Sequence, residues 1–298
     1  MTVNDGGLKG LTKDQAPIKV SLTVDVEWDY ARSESHSILE QTAPFFQWLR
    51  EEQIPLTAFV TGHLLKQGHA VIDSLQAAGV PIGVHGFEHK TEDFGTMNTR
   101  HEDEIRQGMD AYMKRIGHLP AGYRAPSGIV SREDILLLNK LGLRYDASVF
   151  PLRRPHRYNF SGLPRIPFQW EGTSLVEMPF GLVTNSLPAG MTFINLLGAT
   201  LSSSLLRKQA RSLAGSAAVV DMHFHNLFTH YPAMQSLPLG LRMIYLAGAW
   251  ADGFSCLKSL VLKLRRVGAI FSSLEADALS LNAEALPVVG FDSFARGS

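Results

Sequence analysis

The chain has 298 residues, 28 basic and 28 acidic side chains, and hydrophobic and charged fractions of 45% and 19%. That balance excludes a disordered chain, and it excludes the global cationic field that would recruit nucleic acid or an acidic membrane. The single cysteine, Cys256, excludes an intrachain disulfide and fits a reducing compartment.

The start, MTVNDGGLKGLTKDQAPIKV, lacks an apolar signal-peptide core, so a cytoplasmic protein is expected. Strand-like runs then follow at 18–25 (IKVSLTVD), 56–60 (LTAFV), 80–84 (VPIGV), 121–124 (AGYR), 143–148 (LRYDAS), 174–178 (SLVEM), 217–224 (AAVVDMHF) and 269–274 (AIFSSL). Helical stretches lie between most of them, among them 97–117, 131–141 with Ser131 and Asp134 as a capping pair, and 257–268 ending on Gly268. The uncharged stretch 178–206 is too broken by Pro179, Pro188 and Gly190 to span a membrane. Strands alternating with helices predict an α/β fold of parallel β-α-β units, closed into a single-domain barrel of seven or eight units. An open doubly wound sheet is the competitor. The barrel is expected over 18–282, between an N-terminal tail 1–17 and a C-terminal tail 283–298.

Active sites of such barrels form at the C-terminal strand ends, where this chain concentrates its reactive side chains. TVDVEWD places Asp25, Glu27 and Asp29 at alternate positions, on one side of a strand. Three carboxylates there repel one another unless a cation or hydrogen-bond donors neutralise them. His85 and His89 end the third run, four residues apart. With an acid from the first strand they would make a His/His/carboxylate set with open positions, the catalytic rather than structural type of metal site. Arg124 ends the fourth run, before Pro126, and could hold a catalytic carboxylate through a bidentate contact. Asp146 lies in the fifth. DMHFHNLF carries His223 and His225 on one strand face, either of them suited to protonate a leaving group. Chance histidines, a surface arginine and satisfied core histidines are the competing readings.

The ordered set TVDVE, HGFEH, RAP, YDAS and DMHFHN resembles the polysaccharide deacetylase family, carbohydrate esterases with a distorted (β/α) barrel, over about residues 18–275. Asp25-Val26-Glu27 is similar to the Asp-x-acid variant of branches that include allantoinase-like enzymes and lipid-linked sugar deformylases. The resemblance implies that Asp25 is the general base and that Glu27, His85 and His89 bind the metal. It makes Arg124 the residue orienting Asp25, and a late-strand histidine the general acid. His225, followed by Asn226, is preferred over His223. Gly86 departs from the pattern, standing where a hydroxyl residue is usual. Trp28, Arg124, Pro126 and Asp146 are the expected substrate contacts. The implied cofactor is a divalent ion, zinc first, with cobalt, nickel, iron or manganese compatible. The implied reaction is hydrolysis of an N-acetyl or N-formyl group on an amino sugar; a small-amide hydrolase and an inactive glycan-binding barrel are the alternatives.

Two segments bear on partners. Residues 150–170 carry Arg153, Arg154, Arg157 and Arg165 and suggest a lid over an anionic glycan or sugar-phosphate lipid. Residues 237–250 and parts of 191–206 are apolar enough for peripheral membrane contact, although core helices explain them as well. No nucleic-acid partner is expected.

Overall fold

The structure, a computed structural model, describes residues 17–30, 35–89, 99–154, 158–229, 231–235, 237–249 and 252–292. Of the expected N-terminal tail only Pro17 falls among them, and Arg157 and residues 97–98 lie outside. Five strands open the chain: β1 (Lys19–Val26), β2 (Leu56–Val60), β3 (Ile82–Val84), β4 (Gly122–Tyr123) and β5 (Tyr145–Asp146). Two small hairpins and two sheet strands follow: β6 (Arg153–Arg154), β7 (Tyr158–Asn159), β8 (Phe168–Trp170), β9 (Val176–Glu177), β10 (Leu182–Thr184) and β11 (Leu187–Pro188). The last three are β12 (Ala218–His223), β13 (Ile270–Ser272) and β14 (Val288–Val289).

The order β12-β1-β2-β3-β4-β5-β9 is parallel throughout. Strands buried on both faces suit such a sheet, and in β1 every position after Lys19 is buried. Among the described residues no regular eighth strand completes the ring. Beyond β9, the Gly181 N–H donates to Val219 O at 2.9 Å and the Asp221 N–H to Ala189 O at 3.0 Å, so residues 181–190 close the barrel against β12. A Cβ at Gly181 would sit 2.5 Å from the Val219 carbonyl oxygen, which explains the glycine at this seam. The fold is therefore the expected α/β barrel, distorted at its closure.

Several elements depart from the sequence reading. β13, expected as the last barrel strand, pairs with the first residues of β1. β8 runs antiparallel to β9 and carries β14 on its far side, so the segment expected as a C-terminal tail extends the sheet. Phe291 stacks on Trp170 there, with ring centroids 5.4 Å apart. β12 ends at His223, and His225 lies in a helical turn, Phe224–Leu227, rather than on the strand. The helix Arg132–Lys140 forms as predicted, with Ser131 and Asp134 in a reciprocal capping box. Helix Gly253–Arg266 starts earlier than expected because Asp252 caps it.

The core has two parts. A large cluster fills the space between strands and helices. A small one, including Phe59, Tyr145, Ala147, Met178 and Val219, plugs the barrel lumen, with Leu274 and Ala278 at the N-terminal strand ends. In the apolar helix Leu239–Ala249, Leu239, Met243 and Ile244 are exposed. Among the described residues no helix is long and apolar enough to cross a membrane.

Candidate active site

Above the lumen plug, side chains from β1, β3, β4 and β12 converge on a cleft of about 190 Å³ at the C-terminal strand ends. Strand alternation puts Asp25 on the lumen side, since Val24 and Val26 belong to the outer core. Arg124 points inward from the end of β4, and its guanidinium is sandwiched between the rings of Phe59 (4.2 Å) and Phe180 (4.3 Å). Its Nε donates to Ala147 O at 3.0 Å. Its Nη1 contacts Thr23 Oγ1 at 2.9 Å, Asp25 Oδ1 at 2.8 Å and Asp221 Oδ1 at 2.7 Å. The expected bidentate clamp on Asp25 is thus a single nitrogen shared between two carboxylates. A planar, 1% exposed cation stacked on aromatic faces is a task for arginine rather than lysine.

His85 follows β3 and is buried. Its Nδ1 lies 2.8 Å from Arg124 O, a group that only accepts, so Nδ1 carries the proton and Nε2 is left as a ligand nitrogen. Nε2 stands 3.4 Å from Glu27 Oε2 and 3.7 Å from Asp25 Oδ2, without a hydrogen-bond partner. His89 Nε2 reaches Glu27 Oε2 at 2.5 Å. The loop between the histidines turns through Gly86 (φ 64°) and ends on His89 itself (φ 58°). The left-handed backbone at 86 favours glycine there over the hydroxyl residue of the family pattern. Glu104, from the helix Thr99–Ile116, secures the loop by accepting the N–H groups of Phe87 (3.2 Å) and Glu88 (2.9 Å).

His223 ends β12 with 26% of its side chain exposed. Its Nε2 lies 3.4 Å from Glu27 Oε1 and 3.9 Å from Asp25 Oδ2, and its Nδ1 lies 3.8 Å from Asp221 Oδ2. Burial works to lower its pKa, but Glu27, Asp221 and Asp25 together raise it. His225 stacks on His223 and on Tyr30, with centroids 4.8 and 5.1 Å away. Burial and then the His223 charge push its pKa down to about 3. Asn226, whose position favoured His225 in the sequence, caps the turn by accepting the His223 N–H at 2.9 Å.

Other sequence candidates lie elsewhere. Asp29 accepts the backbone N–H groups of Ser37 and Ile38, both at 2.9 Å, because β1 stops at Val26 and the chain turns away. Trp28 donates to Glu88 O at 3.1 Å and stacks on His36, bracing the histidine loop from outside the cleft. Pro126 is buried, and its neighbours Ala125, Ser127 and Gly128 line the cleft instead. Asp146 faces away from the lumen, alternating with the inward Tyr145 and Ala147, and pairs in register with Glu177. Burial and the charge of Asp146 raise Glu177 well above the usual carboxylate range, and burial raises Asp146 to about 6. Arg154, at the tip of the basic segment, does line the cleft.

Two contributors escaped the sequence reading, Asp221 and Glu104. Asp221 is an acid within the apolar run AAVVDMHF, and the cost of burying an unpartnered carboxylate was the available signal. Burial and Asp25 raise its pKa to about 6. Glu104 sits among three acids of one helix and carries no local mark.

Asp25 and Asp221 thus share one guanidinium nitrogen while Glu27 has only histidines as ion-pair partners, so one arginine serves three buried carboxylates. Glu27, His85 and His89 offer ligand atoms within 4.8 Å of one another, as do Asp25, Asp221 and His223. The proton on His85 Nδ1, its free Nε2 and this charge deficit all fit a divalent cation.

Fold and site together define a (β/α) barrel with a cluster of carboxylates, histidines and one arginine at its mouth. The family model for polysaccharide deacetylase matches residues 12–145, so over that part the chain carries this family's sequence pattern. The matched range includes Asp25, Glu27, His85, His89 and Arg124 and stops before β12. An uncharacterized 30.6 kDa protein of the fumA 3′ region of Geobacillus stearothermophilus is 28% identical over 108 residues, 35% of this chain. That match spans 39% of the relative's length. A Mycobacterium smegmatis protein assigned as a polysaccharide deacetylase shares the fold with a TM-score of 0.63 at 18% identity, covering 91% of this chain and 93% of its own. A second structure so assigned, from Pseudomonas aeruginosa PAO1, gives 0.61 at 12% identity, covering 89% and 90%.

Proposed function

We propose that the protein is a metal-dependent hydrolase that removes an N-acetyl or N-formyl group from an amino sugar in a glycan or in a lipid- or nucleotide-linked saccharide. The observation that carries this reading is the open Glu27/His85/His89 ligand set beside Asp25, which Arg124 fixes in the same cleft. A divalent ion bound there supplies Lewis acidity, lowering the pKa of water toward about 7 and polarising the amide carbonyl.

The chain's own residues do the rest. Arg124 engages Asp25 Oδ1, which leaves Oδ2 facing the cleft to take the proton of the attacking water. His223 presents Nε2 across the cleft and delivers a proton to the departing amine nitrogen. Its raised pKa and partial exposure favour it for this step over His225, whose low pKa keeps the ring neutral. Asp221 orients His223 from the Nδ1 side. Phe150 and Phe180 supply apolar wall to the cleft, and Arg154 an anion contact at its rim.

The test is elemental mass spectrometry of tag-free protein, followed by a screen of N-acetyl and N-formyl sugars and small amides for released acetate, formate or ammonia. One divalent metal per chain with acyl release from a sugar is the expected result. Release only from small amides would move the assignment to the amidohydrolase alternative. No metal after zinc or cobalt loading would end the catalytic reading.

A further inference from the structure

A second concavity, of about 870 Å³, lies between the C-terminal half of the long helix Met191–Ser212 and the β10–β11 hairpin. Its charged lining is wholly cationic: Arg165, Arg207, Lys208 and Arg211. Between Glu177 and Asp221 the sequence contains no acid. Among the described residues none of the four cations forms an ion pair, and no carboxylate lines the cleft.

Helical spacing explains how these groups come to one side. Ser204, Arg207, Lys208 and Arg211 recur at three- and four-residue intervals and share a helix face. Like charges at those intervals repel, and the helix dipole offsets the repulsion only in the last turn. Arg165, from the loop before β8, is pre-positioned by a 2.9 Å hydrogen bond from Nη1 to Asn185 Oδ1. Arg211 Nε and Gln209 Nε2 are buried donors with no acceptor. Unopposed cations lining a cavity call for an oxyanion-bearing occupant.

The cleft neighbours the catalytic one along the chain, and the two share no lining residue. Phe180 lines the latter and Val183 the former, three extended residues or about 10 Å apart. The helix also serves both, through Thr192 at one end and Ser204–Ser212 at the other. Among the described residues no aromatic side chain lines the cationic cleft, which there lacks the stacking surface typical of single-stranded nucleic-acid sites.

We propose that this cleft binds a run of carboxylate-bearing sugars in an acidic polysaccharide, anchoring the chain whose amino sugar enters the catalytic cleft. The polysaccharide identity rests on the deacetylase reading; the oxyanion site does not. Affinity of the full chain for polygalacturonate would be measured by gel-shift titration, beside a neutral chitooligosaccharide, single-stranded DNA and phosphatidylglycerol vesicles. The exposed pair Arg207→Glu/Lys208→Glu should weaken polygalacturonate binding at least about 10-fold. It should leave both the melting temperature and the turnover of a short neutral N-acyl substrate unchanged.

Polygalacturonate binding that the double variant leaves intact, or no binding at low salt, would overturn the proposal. So would tighter variant-sensitive binding of DNA or of the vesicles. If acyl release fails on every substrate while the variant still abolishes polygalacturonate binding, the cleft stands and the hydrolase reading falls.

Discussion

Two groups of buried acids sit on the same sheet in different company. At the barrel mouth, Asp25, Glu27 and Asp221 face the lumen side among Arg124, His85, His89 and His223. On the outer face, Asp146 and Glu177 face each other across β5 and β9 with no cation among their contacts. The first group is surrounded by positive or protonatable partners, which hold Glu27 well below its ordinary pKa despite burial, while burial and Asp25 raise Asp221 to about 6. The second answers burial by keeping a proton. Charge retained in a cleft serves chemistry, while charge given up under the helices serves packing.

The largest effect expected from breaking the first cluster is that of Asp25→Asn. If Asp25 is the base, acyl release should fall about 1,000-fold while circular dichroism and metal content stay as in the parent. Activity within tenfold of the parent would remove Asp25 from that role. His89→Ala should weaken metal retention by about 100-fold or more, read by elemental mass spectrometry after dialysis. Metal unchanged in that variant would shift attention to the Asp25/Asp221/His223 donor set.

Asp221→Asn should lower kcat/KM about 10- to 100-fold, in the range of groups that support a reacting residue rather than react. Because Asp221 helps raise the His223 pKa and a general acid must be protonated, the alkaline limb of the profile should move to lower pH. An unmoved limb would separate Asp221 from His223.

The smallest effect concerns the outer pair and leaves turnover alone. Glu177 and Asp146 bind protons more tightly folded than unfolded, so the pair's contribution to stability should fall as pH rises from about 4, through the unfolded pKa values, to the raised folded ones. Glu177→Gln removes that dependence for one acid. It should melt a few degrees higher than wild type at pH 8, with the gain gone near pH 4. A gain equal at both pH values would mean the pair is not protonated in the fold.

The sequence shows the first cluster more plainly than the second. β1 and the capped helix Arg132–Lys140 are local patterns, and the rule that barrel sites gather at C-terminal strand ends places Asp25, His85, Arg124 and His223. What failed was non-local. Asp146 and Asp25 look alike in sequence because parallel strands are buried on both faces, and only register with β9 shows which way Asp146 points. His225 and Asp29 differ from the sequence expectation for a simpler reason: they lie two and three residues beyond where the strands end, so strand alternation no longer applies.

Arg124 contacts residues from both sides of the irregular barrel closure, Phe180 beyond β9 and Asp221 on β12, while also gripping β1 and the segment after β5. It is therefore a tie across the ring as well as a partner of Asp25. A lineage of this barrel that abandons chemistry can discard Asp25 or His89 and still close. Losing Arg124 would leave two buried acids without their cation and the seam without its rivet, so the barrel depends on this arginine whether or not Asp25 reacts.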